Sequence, residues 1–185
     1  MRYADALRPQ FIHVMAGYCT GEDAIHCFVR NLQHAADRAP KQCFTIEPLN
    51  QTDQPGYFLS DFDLAATLLD AVDRPNVSLQ YDSYHAQVIH GDALAVWDKH
   101  QDRISHIQLG DAPGRGEPGT GDIDFPNLFS RIVQSGYDGW MSAEYKPTTK
   151  ATEDSLGWRE RVIDASGTSG QKPTTLRPAM SDQAI

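Results

Sequence analysis

Residues 137–147 read YDGWMSAEYKP, and this stretch decides which fold the sequence predicts. Residues 140–143 form a short apolar run of the kind that makes a buried strand, and the run ends in Glu144 and, two residues later, Lys146. Functional side chains of parallel α/β folds collect at the carboxyl ends of the strands, which is where this carboxylate and this amine stand. Three strand-like runs upstream end in a similar way.

Apolar, strand-like runs alternate with amphipathic segments of helical length along most of the chain. Five such runs occur, at residues 11–16, 43–47, 77–82, 104–109 and 140–143. Strands that alternate with helices indicate βα units and therefore a parallel sheet. The fold class is thus α/β, either a doubly wound sheet or a (β/α)8 barrel. A complete barrel needs eight strands and typically about 250 residues.

Helix start signals stand between the predicted strands. A capping-box pattern opens the first long helix, which reaches about residue 38, and acidic or hydroxyl side chains stand before the others. The N-cap candidates are Thr20, Ser60 or Asp61, Asp92 and Asp124. A last helix is expected to begin near Thr152.

The chain divides into one domain and a tail. Beyond residue 163 the sequence is rich in Ser, Thr, Gly and Pro and has no apolar period. Such a segment cannot bury enough apolar surface to fold, so we expect it to be disordered. We predict one domain over residues 1–163 and a disordered tail over residues 164–185.

Composition and charge exclude several classes of protein. The 185 residues carry a net charge of −9, which disfavours general nucleic-acid binding because that binding neutralises phosphates. Cys19, Cys27 and Cys43 are odd in number and have no CxxC spacing, which disfavours a disulfide framework or a structural zinc site. No apolar stretch approaches the length of a membrane span or a leader. We therefore expect a soluble, cytoplasmic protein.

Four of the five strand ends carry an oxygen-bearing side chain. These are Glu47, Asp82, Gln108 and Glu144. Three carboxylates brought together without a cation would repel one another, whereas hard oxygen ligands suit Mg²⁺ or Mn²⁺. A divalent ion would also polarise a substrate carbonyl and an adjacent hydroxyl, and so stabilise an enediolate. Singly, each of these residues could be a helix cap or a turn former, and the same holds for Asp111; the succession of four favours a metal site.

Three residues near these strand ends suggest a substrate with a carboxylate. Lys146 shares the predicted strand face of Glu144, and Arg115 stands in a glycine-rich loop that gives it freedom to turn inward. His85 can donate or accept a proton. Solvated surface charge is the simpler interpretation of Lys146 and Arg115, and Glu117 could pair with Arg115 and hold it. His13 is expected in the core or the wall of the site.

Four motifs together resemble the hydroxypyruvate isomerase family, a branch of the xylose-isomerase-like TIM barrels. They are IEPLN, QYDSYHAQ, HIQLGDAPGRGEPGTGDIDF and SGYDGWMSAEYKP. The resemblance implies a divalent metal, usually Mg²⁺, held by Glu47, Asp82, Gln108 and Glu144. It implies that Glu47 and Glu144 also transfer protons, and that His85 and Arg115 contact the substrate. The implied reaction converts hydroxypyruvate to tartronate semialdehyde through an enediolate, with no nucleic-acid or membrane partner.

The same resemblance places the first strand of this chain fourth in a barrel of eight, so we expect a partial TIM barrel of about five carboxyl-terminal βα units, truncated at its amino terminus. Related alternatives are a 2-oxo-tetronate isomerase and a ketose 3-epimerase, although Gln108 stands where the epimerases usually have His. An abasic-site endonuclease would call for several His ligands and a basic face. An inactive truncated fragment is the remaining alternative. The sequence leaves the oligomeric state open, a homo-oligomer included.

Overall fold

The computed structural model describes residues 2–165 and contains one parallel sheet of five strands. The strands are β1 (Phe11–His13), β2 (Cys43–Ile46), β3 (Val77–Asp82), β4 (Ile104–Leu109) and β5 (Met141–Ala143). Their order in the sheet is their order in the chain, and every neighbouring pair is parallel. A doubly wound sheet reverses its strand order at a switch point, so the sequential order decides for a barrel arrangement.

The sheet is strongly curled. The rings of Phe11 on β1 and His106 on β4 lie 5.9 Å apart across its inner face. In a flat sheet these two strands would be separated by roughly 14 Å, three times the spacing of neighbouring strands. The predicted partial TIM barrel is therefore confirmed. Within the described residues, β1 and β5 form the two edges of the sheet and each pairs with a single neighbour.

Within residues 2–165, seven α-helices accompany the strands. They are α1 (Arg2–Leu7), α2 (Glu22–Arg38), α3 (Phe62–Val72), α4 (Ser83–His90), α5 (Ala93–His100), α6 (Phe125–Gln134) and α7 (Trp158–Ala165). Short 3-10 helices cover Gln101–Arg103 and Thr152–Ser155. The last α-helix thus extends two residues beyond the predicted domain boundary. Residues 166–185, most of the segment predicted as a tail, lie outside the described residues.

Most of the predicted helix caps are present. The carboxylates of Asp61, Asp92 and Asp124 each accept a hydrogen bond from a backbone N–H of the first turn, as the sequence predicted. The capping box at Thr20 was a wrong prediction: Gly21 is the N-cap of α2, and no side chain caps this helix. Gly21 has a φ of 91°, which residues with a side chain rarely adopt. The N-cap of α2 therefore stands one residue later than predicted.

The two faces of the sheet have different chemistry. The outward face is apolar and packs against the helices, through fully buried side chains such as Ile46, Leu79, Ile107 and Leu109. The inward face is polar: Thr45 and Glu47 follow one another on the β2 side, and Gln80 and Asp82 do so on β3. Barrel interiors are more often filled by branched apolar side chains, so polar layers here indicate a functional interior. Within the described part of the chain, no helix has the length and apolarity that crossing a membrane requires.

Candidate active site

A cavity of about 260 Å³ opens where the strands end. Ten residues line it: His13, Met15, Glu47, Leu49, Asp53, Gln54, His85, Gln108, Arg115 and Glu144. Five of the seven predicted site residues are among them. The register pairs Asp82 with Gln108 on neighbouring strands, which puts the fully buried Asp82 directly beside this cavity. The structure therefore brings the four predicted metal ligands to one end of the sheet.

The two carboxylate oxygens of Asp82 make different contacts. Its Oδ1 accepts hydrogen bonds from the backbone N–H groups of Tyr84 (2.8 Å) and His85 (3.3 Å), and so caps α4. Its Oδ2 accepts a hydrogen bond from Arg115 Nη2 at 3.2 Å. The helix-cap interpretation of Asp82 is thus confirmed, while its second oxygen faces Arg115 in the cavity wall. Burial raises the pKa of Asp82 to about 7, a shift that Glu144 reinforces and Arg115 opposes.

Glu47 is the most deeply buried glutamate of the site, with 3 % of its surface exposed. Its Oε2 accepts a hydrogen bond from Gln80 Nε2 at 2.8 Å and lies 3.5 Å from His13 Nε2. Its Oε1 is buried and has no hydrogen-bond partner among the described residues. Burial and the neighbouring carboxylates raise the pKa of Glu47 well above its usual range. The unpartnered Oε1 is therefore an atom that can hold a proton or a cation.

Arg115 supplies the positive charge of the cavity wall. Its Nη2 donates to Asp82 Oδ2 and, at 2.8 Å, to Glu144 Oε1, and its guanidinium lies 5.2 Å from the centre of the Tyr84 ring. Among the ten lining residues it is the one with a permanent positive charge. The suggested pairing with Glu117 was wrong: Glu117 accepts hydrogen bonds from the backbone N–H and the hydroxyl of Thr148 instead.

His85 is held in one tautomer. Its Nδ1 accepts a hydrogen bond from the backbone N–H of Asn50 at 3.0 Å, so in the neutral ring the proton sits on Nε2. Burial lowers the pKa of His85 to about 4, which keeps the ring neutral. Although Glu47, Asp82 and His85 have ligand atoms within 4.8 Å of one another, a protonated nitrogen has no lone pair for a metal. His85 is thus suited to donate a hydrogen bond to a substrate oxygen.

Lys146 is placed differently from the other predicted residues. It is exposed and is not among the residues that line the cavity. Its backbone N–H donates to the carbonyl of Arg115 at 2.7 Å, which ties the loop after β4 to the segment after β5. The side chain that the sequence assigned to a substrate carboxylate therefore lies away from the cavity, and Arg115 is the cation that reaches it.

Asp111 organises the loop that carries Arg115. Its two buried carboxylate oxygens accept hydrogen bonds from four backbone N–H groups, those of Ala112, Gly119, Gly121 and Ile123. The structural interpretation of Asp111 is therefore correct. The loop is folded around this carboxylate, and its conformation aims Arg115 inward from a left-handed φ of 57°.

We expect Asp111→Ala to lower the free energy of unfolding by about 3 kcal/mol, because four buried donors lose a charged acceptor. Urea unfolding monitored by circular dichroism measures the change. Asp122→Ala is the matched control in the same loop: its side chain is exposed, and its loss should cost less than about 0.5 kcal/mol. An equal effect of the two substitutions would contradict the role assigned to Asp111.

The residues present suit a hard divalent cation. Glu47, Asp82 and Glu144 bring three carboxylates to one cavity end, Gln108 adds an amide oxygen, and Arg115 alone offsets them with a full charge. The unpartnered Glu47 Oε1 is a ligand atom without a partner in the described structure. All of these atoms are oxygens, which suits Mg²⁺ or Mn²⁺ more than zinc.

The sequence interpretation passed over three residues of this site. Gln80 lies behind Glu47 and Gln108, Asn50 fixes the ring of His85, and Asp53 lines the cavity. Alternation along β3 could have identified Gln80, because it stands two residues before Asp82 and so shares its face. No comparable signal marks Asn50, whose contact with His85 depends on the path of the loop after β2.

Comparison with known proteins agrees with this architecture. The family model described as "Xylose isomerase-like TIM barrel" matches residues 1–162. The chain belongs to this family. The xylose isomerase-like chain is 39% identical over 166 residues to the hydroxypyruvate isomerase of Escherichia coli, a match that covers 86% of this chain and 64% of that protein. It is 37% identical to the 2-oxo-tetronate isomerase of Cupriavidus necator, covering 85% of this chain and 63% of that one.

A solved structure shows the same arrangement. The crystal structure named AP endonuclease, family 2, from Brucella melitensis superposes with a TM-score of 0.81 at 38% identity, over 86% of this chain and 63% of that one. The xylose isomerase-like chain thus spans a little under two thirds of the length of these relatives.

Proposed function

We propose that the protein is a metal-dependent isomerase of a small hydroxy or oxo acid, and that it converts hydroxypyruvate to tartronate semialdehyde. The observation that carries the proposal is the meeting of Glu47, Asp82, Gln108 and Glu144 at one cavity whose wall has a single permanent cation, Arg115. Relatives at 37–39% identity that are named isomerases of such acids support it. The cavity is smaller than the roughly 300–1,000 Å³ typical of drug-sized ligands, as a short substrate requires.

Each side chain has a distinct role in this proposal. Glu47, Asp82, Gln108 and Glu144 would hold Mg²⁺ or Mn²⁺, which supplies Lewis acidity toward the carbonyl and hydroxyl oxygens of the substrate and so acidifies the C–H between them. One of Glu47 and Glu144 takes the carbon-bound proton, and the same or the other glutamate returns it to the neighbouring carbon, while the hydroxyl proton passes to the former carbonyl oxygen.

The remaining polar groups orient the substrate. Arg115 binds the substrate carboxylate, which its planar guanidinium fits with two parallel hydrogen bonds. To do so it must release Asp82 and Glu144, whose charge the divalent ion then balances. His85 donates its Nε2–H to a substrate oxygen, because its Nδ1 is engaged by Asn50. Lys146 is exposed and outside the cavity lining, and its contact with the substrate stays a prediction from the sequence.

A manganese titration tests the metal site. We expect Mn²⁺ at 100 times its dissociation constant to stabilise the protein by about 2.7 kcal/mol. Because protons compete for Asp82, whose pKa is near 7, Mn²⁺ affinity should rise between pH 6 and pH 8. Calorimetric titration at each pH and a melting curve with and without EDTA give both results. No binding and no metal-dependent shift in melting would favour the inactive-fragment alternative and contradict the proposal.

Asp82→Asn is the sharpest variant for this site. Asn caps helices about as well as Asp, so the cap on α4 should survive while the ligand charge is lost. We expect Mn²⁺ affinity to fall at least about 100-fold. The raised pKa of Asp82 means that its ionised form destabilises the metal-free fold as pH rises from about 4 through about 7. In EDTA at pH 8 the variant should therefore melt no lower than the natural protein.

A substrate panel separates the related activities. The 2-oxo-tetronate isomerase and ketose 3-epimerase alternatives use the same site on longer substrates, and the first has a relative at 37% identity. We expect the highest kcat/KM for hydroxypyruvate over 2-oxo-tetronates and ketoses. A preference for a four-carbon acid would assign that substrate instead. The endonuclease named for the Brucella structure is disfavoured here by the net charge of −9 and by a cavity rich in carboxylates.

A cytoplasmic location and the absence of a nucleic-acid or membrane partner remain predictions from the sequence. A homo-oligomer likewise remains open to a measurement of mass in solution. The domain of residues 1–163 and the disordered tail of residues 164–185 stay proposals from composition; α7 extends to Ala165, and residues 166–185 lie outside the described part of the chain.

A further inference from the structure

A buried glutamine lies directly behind the proposed metal ligands. Gln80 occupies the middle of β3 on its inward face, with 4 % of its surface exposed. Burying a primary amide is costly unless its hydrogen bonds are made. The contacts of this amide therefore account for its burial.

Gln80 makes three short contacts with its amide group. Its Nε2 donates to Glu47 Oε2 at 2.8 Å and to Gln108 Oε1 at 2.5 Å. Its Oε1 accepts from the hydroxyl of Thr45 at 3.1 Å. Both amide protons and one carbonyl lone pair are thus used. The opposite orientation of the amide would set its oxygen against two acceptors, so the arrangement itself fixes which atom points where.

This contact decides which atom Gln108 offers to the cavity end. A glutamine side chain can present either oxygen or NH₂, and only the oxygen can bind a cation. Because Gln80 presents an N–H, the atom of Gln108 on the side of Gln80 and Glu47 is Oε1, and a second lone pair of this oxygen remains for a cation. The second proton of the same Nε2 restrains the Glu47 carboxylate, which leaves Oε1 of Glu47 without a partner.

We propose that Gln80 is a positioning residue that fixes the Glu47 carboxylate and the Gln108 amide oxygen for a divalent cation, and that Thr45 fixes Gln80. The proposal rests on the proposed function, in which these two residues are metal ligands. It assigns the polar layer below the cavity to ligand orientation. A purely structural glutamine would instead support the fold and leave cation affinity unchanged.

Four variants test the proposal by electron paramagnetic resonance of bound Mn²⁺, which reports both affinity and ligand geometry. Gln80→Met keeps the length of the side chain and removes both donors, and we expect the dissociation constant for Mn²⁺ to rise about 10- to 100-fold with an altered spectrum. Thr45→Val removes the hydroxyl that orients Gln80 and should raise the dissociation constant for Mn²⁺ by a smaller factor. Thr45→Ser keeps the hydroxyl and should bind Mn²⁺ with the natural dissociation constant. Ser78→Ala, on the same strand face but farther from the cavity, is the control and should bind Mn²⁺ as the natural protein does.

Melting curves in EDTA separate positioning from folding. Thr45→Val and Thr45→Ser should melt within a few degrees of each other without metal while differing in Mn²⁺ affinity, and this result supports the proposal even where Gln80→Met does not fold. Equal Mn²⁺ affinity of Thr45→Val, Thr45→Ser and the natural protein would overturn it. If the natural protein binds no Mn²⁺, the proposed function fails as well; if it binds and the variants bind equally, only the role of Gln80 and Thr45 fails.

Discussion

Glu47→Gln is expected to lower isomerase turnover by about 10³-fold at saturating Mn²⁺, because it removes a group that transfers the carbon-bound proton. Glu144→Gln should have an effect of similar size. Gln keeps the shape and one oxygen of each side chain, so the loss reports proton transfer more than packing. The assay measures formation of tartronate semialdehyde from hydroxypyruvate, together with exchange of the substrate carbon-bound hydrogen in D₂O, which should fall in parallel.

Asp53→Asn is the matched control for these two substitutions. Asp53 is a carboxylate that lines the same cavity but is not among the proposed ligands, and it accepts a hydrogen bond from Asn50. We expect its replacement to change turnover by less than about tenfold, a small fraction of a general acid–base effect. Unchanged turnover in Glu144→Gln would contradict the mechanism.

Arg115→Gln should act in opposite directions on the metal and on the substrate. In the described structure the guanidinium bridges Asp82 and Glu144, so it competes with a divalent ion for their charge. Its removal should tighten Mn²⁺ binding by about tenfold at pH 8.5, where protons no longer compete strongly. The KM for hydroxypyruvate should rise about 10- to 100-fold, since charge-assisted hydrogen bonds contribute roughly 1.5–3 kcal/mol each. Calorimetric titration and steady-state kinetics measure the two effects.

Two further variants make this result specific. Arg115→Lys keeps a charge and should lie between the natural protein and Arg115→Gln in both measurements. Arg103→Gln removes an exposed arginine that pairs with Asp70 on the outside of the barrel, and it should change neither quantity. Weaker binding of both Mn²⁺ and substrate in Arg115→Gln would show that Arg115 supports the site structurally and would contradict an exchange of partners.

The strands could be predicted closely because buried strands leave a recognisable pattern of apolar residues in the sequence. β3 and β4 have the predicted bounds, since each carries buried apolar side chains interspersed with polar ones between two loops. β1 is shorter than its apolar run: after His13 the chain leaves the sheet, and its contact with β2 continues only as a hydrogen bond from Val14 to Thr45. β2 and β5 end one residue before Glu47 and Glu144. Both carboxylates nevertheless line the same cavity, as expected for residues at neighbouring strand ends.

The features that could not be predicted depend on contacts far apart in the chain. Helix α4 was not predicted because its eight residues, SYHAQVIH, are too few for a clear apolar period, although a helix cap was one interpretation of Asp82. The local sequence does not indicate the role of Gln80. Its contacts with Thr45, Glu47 and Gln108 form only when β2, β3 and β4 pair in the sheet. The partner of Glu117 lies 31 residues away, beyond what spacing in a loop can indicate.

The loop anchored on Asp111 suggests how substrate preference could be altered in the laboratory. The carboxylate of Asp111 gathers the backbone of residues 112–123, and the buried Glu117 adds a second anchor through its two hydrogen bonds with Thr148. Arg115, the residue of this loop that lines the cavity, can therefore be varied while Asp111, Glu117 and Gly121 stay constant. Gly121 must stay because a side chain there would collide with the carbonyl of Ala112. Selection on longer or uncharged sugars would then act on the wall of the cavity while leaving the barrel and the ligand set intact.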